Sequence, residues 1–183
     1  MHKILLTIAA FLVLVVNAAA QTAAPTTGSE TVDSIVWLDY ARGVATAKAE
    51  NKPMLVFFYR DSCPYCQKLK HGALLDTTLS TYLNDNFIPI KVNTESRQQV
   101  ILDSLKISEA QLANEKWLVR GVPCMWLLEP DGCRIKKLVG VKACSSVLND
   151  LKVITAKSYG DCPNLPLAPP KPVAAADSTK TTN

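Results

Sequence analysis

Residues 54–66 read MLVFFYRDSCPYC, and the use made of the two cysteines decides what kind of protein this is. Met54–Tyr59 is an unbroken apolar run, short enough for a strand buried on both faces and so central in a sheet. Cys63 and Cys66 follow it, separated by Pro64 and Tyr65, and a helical pattern resumes through Leu69 and Leu74. A cysteine where a buried strand runs into a helix sits among unpaired backbone N–H groups at the positive end of the helix dipole. The thiolate is the reactive species, and such positions lower a thiol pKa from about 8.5 into the ~3.5 to 7.5 range. Cys63 is therefore the expected nucleophile. Cys66, one helical turn on, can close a disulfide with Cys63 after the latter has attacked another one. Pro64 suits the first helical turn because its missing N–H would be unpaired there anyway.

Other uses of a CxxC pair weigh less. Half a zinc site needs a second CxxC or paired histidines, and the chain has 2 histidines, of which only His71 lies beyond the N-terminal apolar stretch. An ordinary surface position suits His71. A soft metal such as Cu(I), held during delivery to another protein, is the competing functional class. A redox-inert adaptor with a permanently closed pair is opposed by the expected exposure of Cys63.

The compartment determines what thiols become. Residues 1–20 have a basic start at Lys3, an apolar stretch from Ile4 to Val16 and an Ala-rich A-x-A site, the pattern of a secretory signal peptide. A short linker, 21–32, precedes one domain over 33–162, and the Pro/Ala-rich residues 163–183 lack the apolar surface to fold and form a flexible tail. A periplasmic or secreted protein follows. Lys and Arg number 20 against 16 Asp and Glu, without a basic cluster, so nucleic acid is not an expected partner. Six cysteines in an exported chain are free to pair.

Periodicity predicts a helix from Asp33 to about Glu50, capped by Asp33 or Ser34 and ended at Lys52 and Pro53. Beyond the cysteines come two helical segments broken near Asp76, then a strand over Phe87–Asn93, completing a right-handed parallel unit. Arg97 to Val119 reads as two helical pieces. Strands at about Cys124–Glu129 and Cys133–Gly140 flank a turn at Pro130, Asp131 and Gly132, and a helix spans about Ser145–Lys157. The expected fold class is α/β, a mixed central sheet with helices on both faces.

At this point the residues resemble a known family. FFYRDSCPYC (Phe57–Cys66) resembles the active-site segment of the thioredoxin superfamily, and VRGVPCMWLLEPDG (Val119–Gly132) is similar to the segment holding its cis-proline. NKPMLVFF and LNDNFIPIKVN resemble exported thioredoxin-like proteins in particular. The resemblance implies a thioredoxin fold and a monomeric thiol–disulfide oxidoreductase that acts through mixed disulfides on protein or small-molecule disulfides and needs no cofactor. It implies disulfide- or dithiol-containing clients and a redox partner that recycles the pair. It also implies a cis bond before Pro123, with Val122, Pro123 and Tyr65 forming a face that pairs with an extended client peptide. One departure stands out: the superfamily's buried acid, six residues before the first cysteine, is Phe57 here, while Lys91 matches a lysine often found near that acid. Cys66 is then expected to lose its proton to water or to a substrate group. Arg60 and Arg120 add positive potential near Cys63, and Asp61 opposes it.

Tracing heights along the sheet places the remaining cysteines. The strand from Cys133 climbs about 26 Å and the last helix descends about 21 Å, which returns Cys162 to the level of Cys133. A Cys133–Cys162 disulfide would clamp the terminal helix to the hairpin. Cys124 and Cys144 fall near the active-site end, where pairing, burial as thiols and exchange with the catalytic pair are all open.

Overall fold

A computed structural model describes residues 34–102 and 105–165; the expected leader, linker and most of the expected tail lie outside them. Met54–Tyr59 forms β1, one of the two inner strands of a four-stranded sheet. It pairs in parallel with β2 (Ile88–Asn93) and antiparallel with β5 (Cys124–Leu128), which pairs antiparallel with β6 (Arg134–Val139). Five of the six β1 side chains are buried, as the unbroken apolar run requires. Alternation sends Met54, Val56 and Phe58 into one core and Leu55 and Phe57 into the other, so each sheet face is covered.

Helix α1 (Tyr40–Glu50) covers the first face. It starts later than periodicity suggests. The Asp39 carboxylate accepts the Arg42 N–H at 2.9 Å, which sets the helix start there, and residues 35–38 run extended instead. Leu38 bridges β2 through Leu38 N–H to Pro89 O at 2.9 Å and Lys91 N–H to Leu38 O at 3.1 Å. The Asn84 side chain pins Val36 N at 2.9 Å and Ser34 O at 3.1 Å. Ile35 therefore joins the second core while Tyr40 joins the first, a division that one continuous helix would not produce.

The second face is covered by α2 (Pro64–Lys70), a 3-10 turn (Ala73–Leu75), α3 (Thr77–Asn86) and the terminal helix α5 (Cys144–Thr155). Asp76 caps α3 by accepting the Leu79 N–H at 3.0 Å, which explains the predicted break. Between β2 and β5 the expectation of two helical pieces is corrected. The first is a hairpin, β3 (Gln99–Leu102) with β4 (Leu105–Ser108), because alternating Val100 and Ile107 turn toward the first core. The second is a short α4 (Glu109–Gln111) that runs into a π-helical turn (Leu112–Lys116). Ser108 and Gln111 form a reciprocal capping box at its start. The β5–β6 turn falls where expected, with Gly132 at φ +94°, a conformation that L side chains rarely adopt.

Gly43 shows how closely α1 approaches the sheet. An added Cβ would stand 2.4 Å from Ile90 Cγ1 and 2.6 Å from Cδ1. Alanine normally improves on glycine in a helix interior by roughly 1 kcal/mol, whereas overpacking a core costs about 1 to 3 kcal/mol. Ile90 is fully buried and has no solvent to turn into. Gly43→Ala is expected to destabilise the fold by about 1 to 2 kcal/mol, and a rise in the urea midpoint would show that Ile90 yields.

Candidate active site

The C-terminal end of β1 delivers the chain to the site. Arg60–Ser62 make the turn, and Cys63, at φ −86° and ψ 113°, is the N-cap of α2, with Pro64 in the first helical turn. A cap side chain accepts a hydrogen bond from the start of its helix, and here the Cys63 sulfur accepts the Cys66 N–H at 3.3 Å. Cys63 Sγ also donates to the Val122 carbonyl at 3.7 Å. The Val122–Pro123 peptide bond is cis, immediately before β5. Cys63, Cys66, Val122 and Pro123 thus meet at one end of the sheet, and Tyr65, 66% exposed, stands at the rim beside Cys63.

The two thiols are chemically unequal. Burial pushes the Cys63 thiol up, but the Cys66 thiol, the Cys66 and Tyr65 backbone N–H groups and the Arg60 guanidinium outweigh it and hold its pKa below the usual cysteine value. The Cys66 thiol is pushed up to about 11, first by burial and then by its hydrogen bond to Cys63 and the charge there. An open position was expected for Cys63. Instead it retains 5% of its surface and Cys66 none, because the Cys63 sulfur lies against the loop that carries Val122. Of the two sulfurs, only that of Cys63 belongs to a residue with surface left for a reagent in solution to reach. Iodoacetamide should accordingly label Cys63 at a rate rising through a pKa below the normal cysteine range, and leave Cys66 unlabelled until pH nears 11. Mass mapping that finds Cys66 labelled first would reverse the assignment.

Several partners of this site carry no legible signal in the sequence. Glu95, after β2, takes Arg60 Nη1 at 3.4 Å and Ser62 Oγ at 3.5 Å. Arg60, Glu95, Asn114, Arg120 and Val122 line a cavity of about 280 Å³ beside Cys63. The Asp61 carboxylate accepts from Asn93 Nδ2 at 2.9 Å and pairs with Lys70 Nζ at 3.2 Å. Glu109, 7% exposed, is a buried acid whose pKa is raised by burial, an effect the Ser96 hydroxyl and the Asn93 N–H oppose. Phe57 occupies its predicted place among apolar neighbours, its ring 5.7 Å from Trp37 and 5.5 Å from Tyr59. His71 is exposed at the C-terminal end of α2.

The other cysteines stand apart. Cys133 precedes β6 at the edge where Leu128 opposes Met54, the end of the sheet remote from Cys63. The structure joins it to Cys162, with Cα atoms 6.4 Å apart across 29 residues. Leu165 N–H then donates to Arg134 O at 2.9 Å and the Tyr159 hydroxyl to the Glu129 carboxylate, so the chain past α5 lies along the hairpin. Cys124 and Cys144 are free thiols on opposite sheet faces, Cys124 in the first core and Cys144 against the second, which separates them. Among the described residues no cluster of three or more His, Cys, Asp or Glu could hold a metal, and no helix is long and apolar enough to cross a membrane.

Known proteins share this fold. Residues 40–150 match the model of the thioredoxin-like domain. The fold is similar to that of a thioredoxin from Thermus thermophilus, with a TM-score of 0.58 and 26% identity over 70% of this chain and 92% of that one. It is also similar to a thioredoxin-fold protein from Helicobacter pylori, with a TM-score of 0.56 and 23% identity over 73% and 83% of the two chains. Anterior gradient protein 3 of Xenopus tropicalis is 32% identical over 65 residues, which are 35% of this chain and 40% of that relative. A sheet in the order β2-β1-β5-β6, a cysteine-capped helix after β1 and a family match across more than half of the chain place this protein in the thioredoxin-like domain family.

Proposed function

We propose that the protein is a thiol–disulfide oxidoreductase that works through Cys63 and Cys66. The observation that carries this is the asymmetry of the pair: Cys63 is the acidified thiol with residual surface, and Cys66 is fully buried with its pKa raised to about 11. As a thiolate, Cys63 attacks one sulfur of a client disulfide, and the client's other sulfur departs and takes up a proton. Cys66 then attacks Cys63, closes the CPYC disulfide and releases the client thiol. Run backwards, the same steps oxidise a client dithiol. The half-buried Val122 backbone, Pro123 and the exposed Tyr65 form the face that receives an extended client segment. The similarity to a protein named thioredoxin supports this chemistry. A Cys133–Cys162 bridge suits an oxidising compartment, so the protein works in the periplasm or outside the cell, where a partner recycles the pair.

Dithiothreitol-driven insulin reduction tests the proposal. The wild-type protein should shorten the lag before insulin precipitates, and Cys63→Ser should match the protein-free control. No acceleration by wild type, together with stoichiometric Cu(I) uptake by the pair, would favour metal delivery instead.

A further inference from the structure

The resolving step poses a problem of its own, because Cys66 must become a thiolate while fully buried. The cavity beside α2, about 400 Å³ and lined by Phe57, Tyr59, Lys70, His71 and Lys91 among others, has no carboxylate in its wall. A buried thiol is helped either by a base or by a fixed positive charge. Lys70 offers the second. It lies one helical turn after Cys66 on α2, the spacing at which two side chains share a helix face. Its ammonium is held in place, with the Asp61 carboxylate at 3.2 Å and the centroid of the Tyr59 ring at 3.7 Å. Asp61 is itself fixed by Asn93 Nδ2 at 2.9 Å, and its carbonyl by Gln67 Nε2 at 2.9 Å. The Lys70 side chain is 28% exposed, so its field is less screened than that of a surface lysine.

Resting on the oxidoreductase function proposed above, we infer that Lys70 is a positioning residue that supports the Cys66 thiolate in the resolving step. In the mixed disulfide, Cys63 Sγ is bonded to the client sulfur. Cys66 gives its proton to water, and the clamped ammonium stabilises the charge left on sulfur. That sulfur attacks Cys63 Sγ, the bond from Cys63 to the client breaks, and the client leaves as a thiolate that takes a proton back from water. Two electrons pass from the cysteine pair to the client. The charges acting on Cys66 are those of Cys63 and Lys70, and a hydrogen bond to the Arg60 backbone also favours its thiolate. Those around Lys70 are Asp61, Tyr59 and, across the cavity, Lys91 and His71. Asp61 offsets part of the Lys70 charge, so the two residues should act on Cys66 with opposite signs.

The test uses the full chain loaded at Cys63 with a chromogenic aromatic thiol, whose release by Cys66 is followed against pH. Lys70→Met should raise the apparent pKa of release by about one unit and slow release about tenfold at neutral pH. Lys70→Arg should restore the wild-type profile, and Asp61→Asn should move the pKa down. A Lys70→Met profile that is lower at every pH with an unchanged pKa would reduce Lys70 to a structural role and overturn the inference. A shift produced by Lys91→Met and not by Lys70→Met would place the supporting charge on Lys91 and overturn the inference. If loaded wild-type protein releases no thiol at any pH, the oxidoreductase function itself fails; release with unshifted variants overturns the role of Lys70 alone.

Discussion

Cys66→Ser protein incubated with a disulfide-bearing client should accumulate a covalent adduct at Cys63. Cys63→Ser should form none and lose turnover by at least about three orders of magnitude, because the covalent route disappears. Both outcomes follow from geometry. Cys63 caps α2, with the Cys66 N–H 3.3 Å from its sulfur, and that stabilisation is available only at the helix start. Cys66 lies one turn inside with no exposed surface and cannot meet a client before Cys63 has bound one. In the proposed mechanism, removing the Cys66 sulfur deletes the resolving step and leaves Cys63 in place, so the mixed disulfide should persist. Serine at position 63 leaves a hydroxyl that cannot form a disulfide. Equal trapping by both variants, or by neither, would break the assignment.

The largest expected effect on stability lies at the other end of the sheet. Replacing Cys133 and Cys162 by serine should destabilise the domain by roughly 3.5 kcal/mol, from the loop-closure entropy of the 29-residue separation. For a domain of this size that is a fall in Tm of about 10 to 15 °C. The difference should vanish when wild type is unfolded in strong reductant. The bridge pins the chain beyond α5 to the start of β6, where Leu165 N–H and Arg134 O add a further clamp at 2.9 Å. A double variant as stable as the oxidised wild type would mean that the terminal segment is held by α5 packing alone.

How much of this was legible in the sequence depended on the length scale of each signal. Strand β1, the start of the cysteine-capped helix and the β5–β6 hairpin are local patterns, and each appears within a residue or two of its predicted place, whereas that helix ends at Lys70 and a separate 3-10 turn over Ala73–Leu75 takes the rest of the expected segment. The late start of α1 was hidden because Ile35 and Leu38 fit a helical period by chance while packing on opposite faces of the sheet. Residues 99–108 misled for the converse reason: the Leu102 and Leu105 spacing imitates a helix, but Val100 and Ile107 pair across a hairpin. At the site, the cysteines were readable because a strand running into a helix is a local pattern, and the cis bond before Pro123 followed from the family resemblance. Glu95, Asp61 with Asn93, and the clamp on Lys70 were not, since each joins segments separated by many residues and no local spacing announces them. The opposite faces of Cys124 and Cys144 became decidable only once strand register was known.

A measured reduction potential of the Cys63–Cys66 pair, obtained by equilibration in glutathione buffers with mass mapping of both cysteines, tests the central claim most directly. Lowering the Cys63 pKa stabilises the reduced form, so the pair should titrate as a reversible two-electron couple more oxidising than about −270 mV. A pair that stays oxidised below about −300 mV, or cysteines that never join reversibly, would contradict a redox role for CPYC.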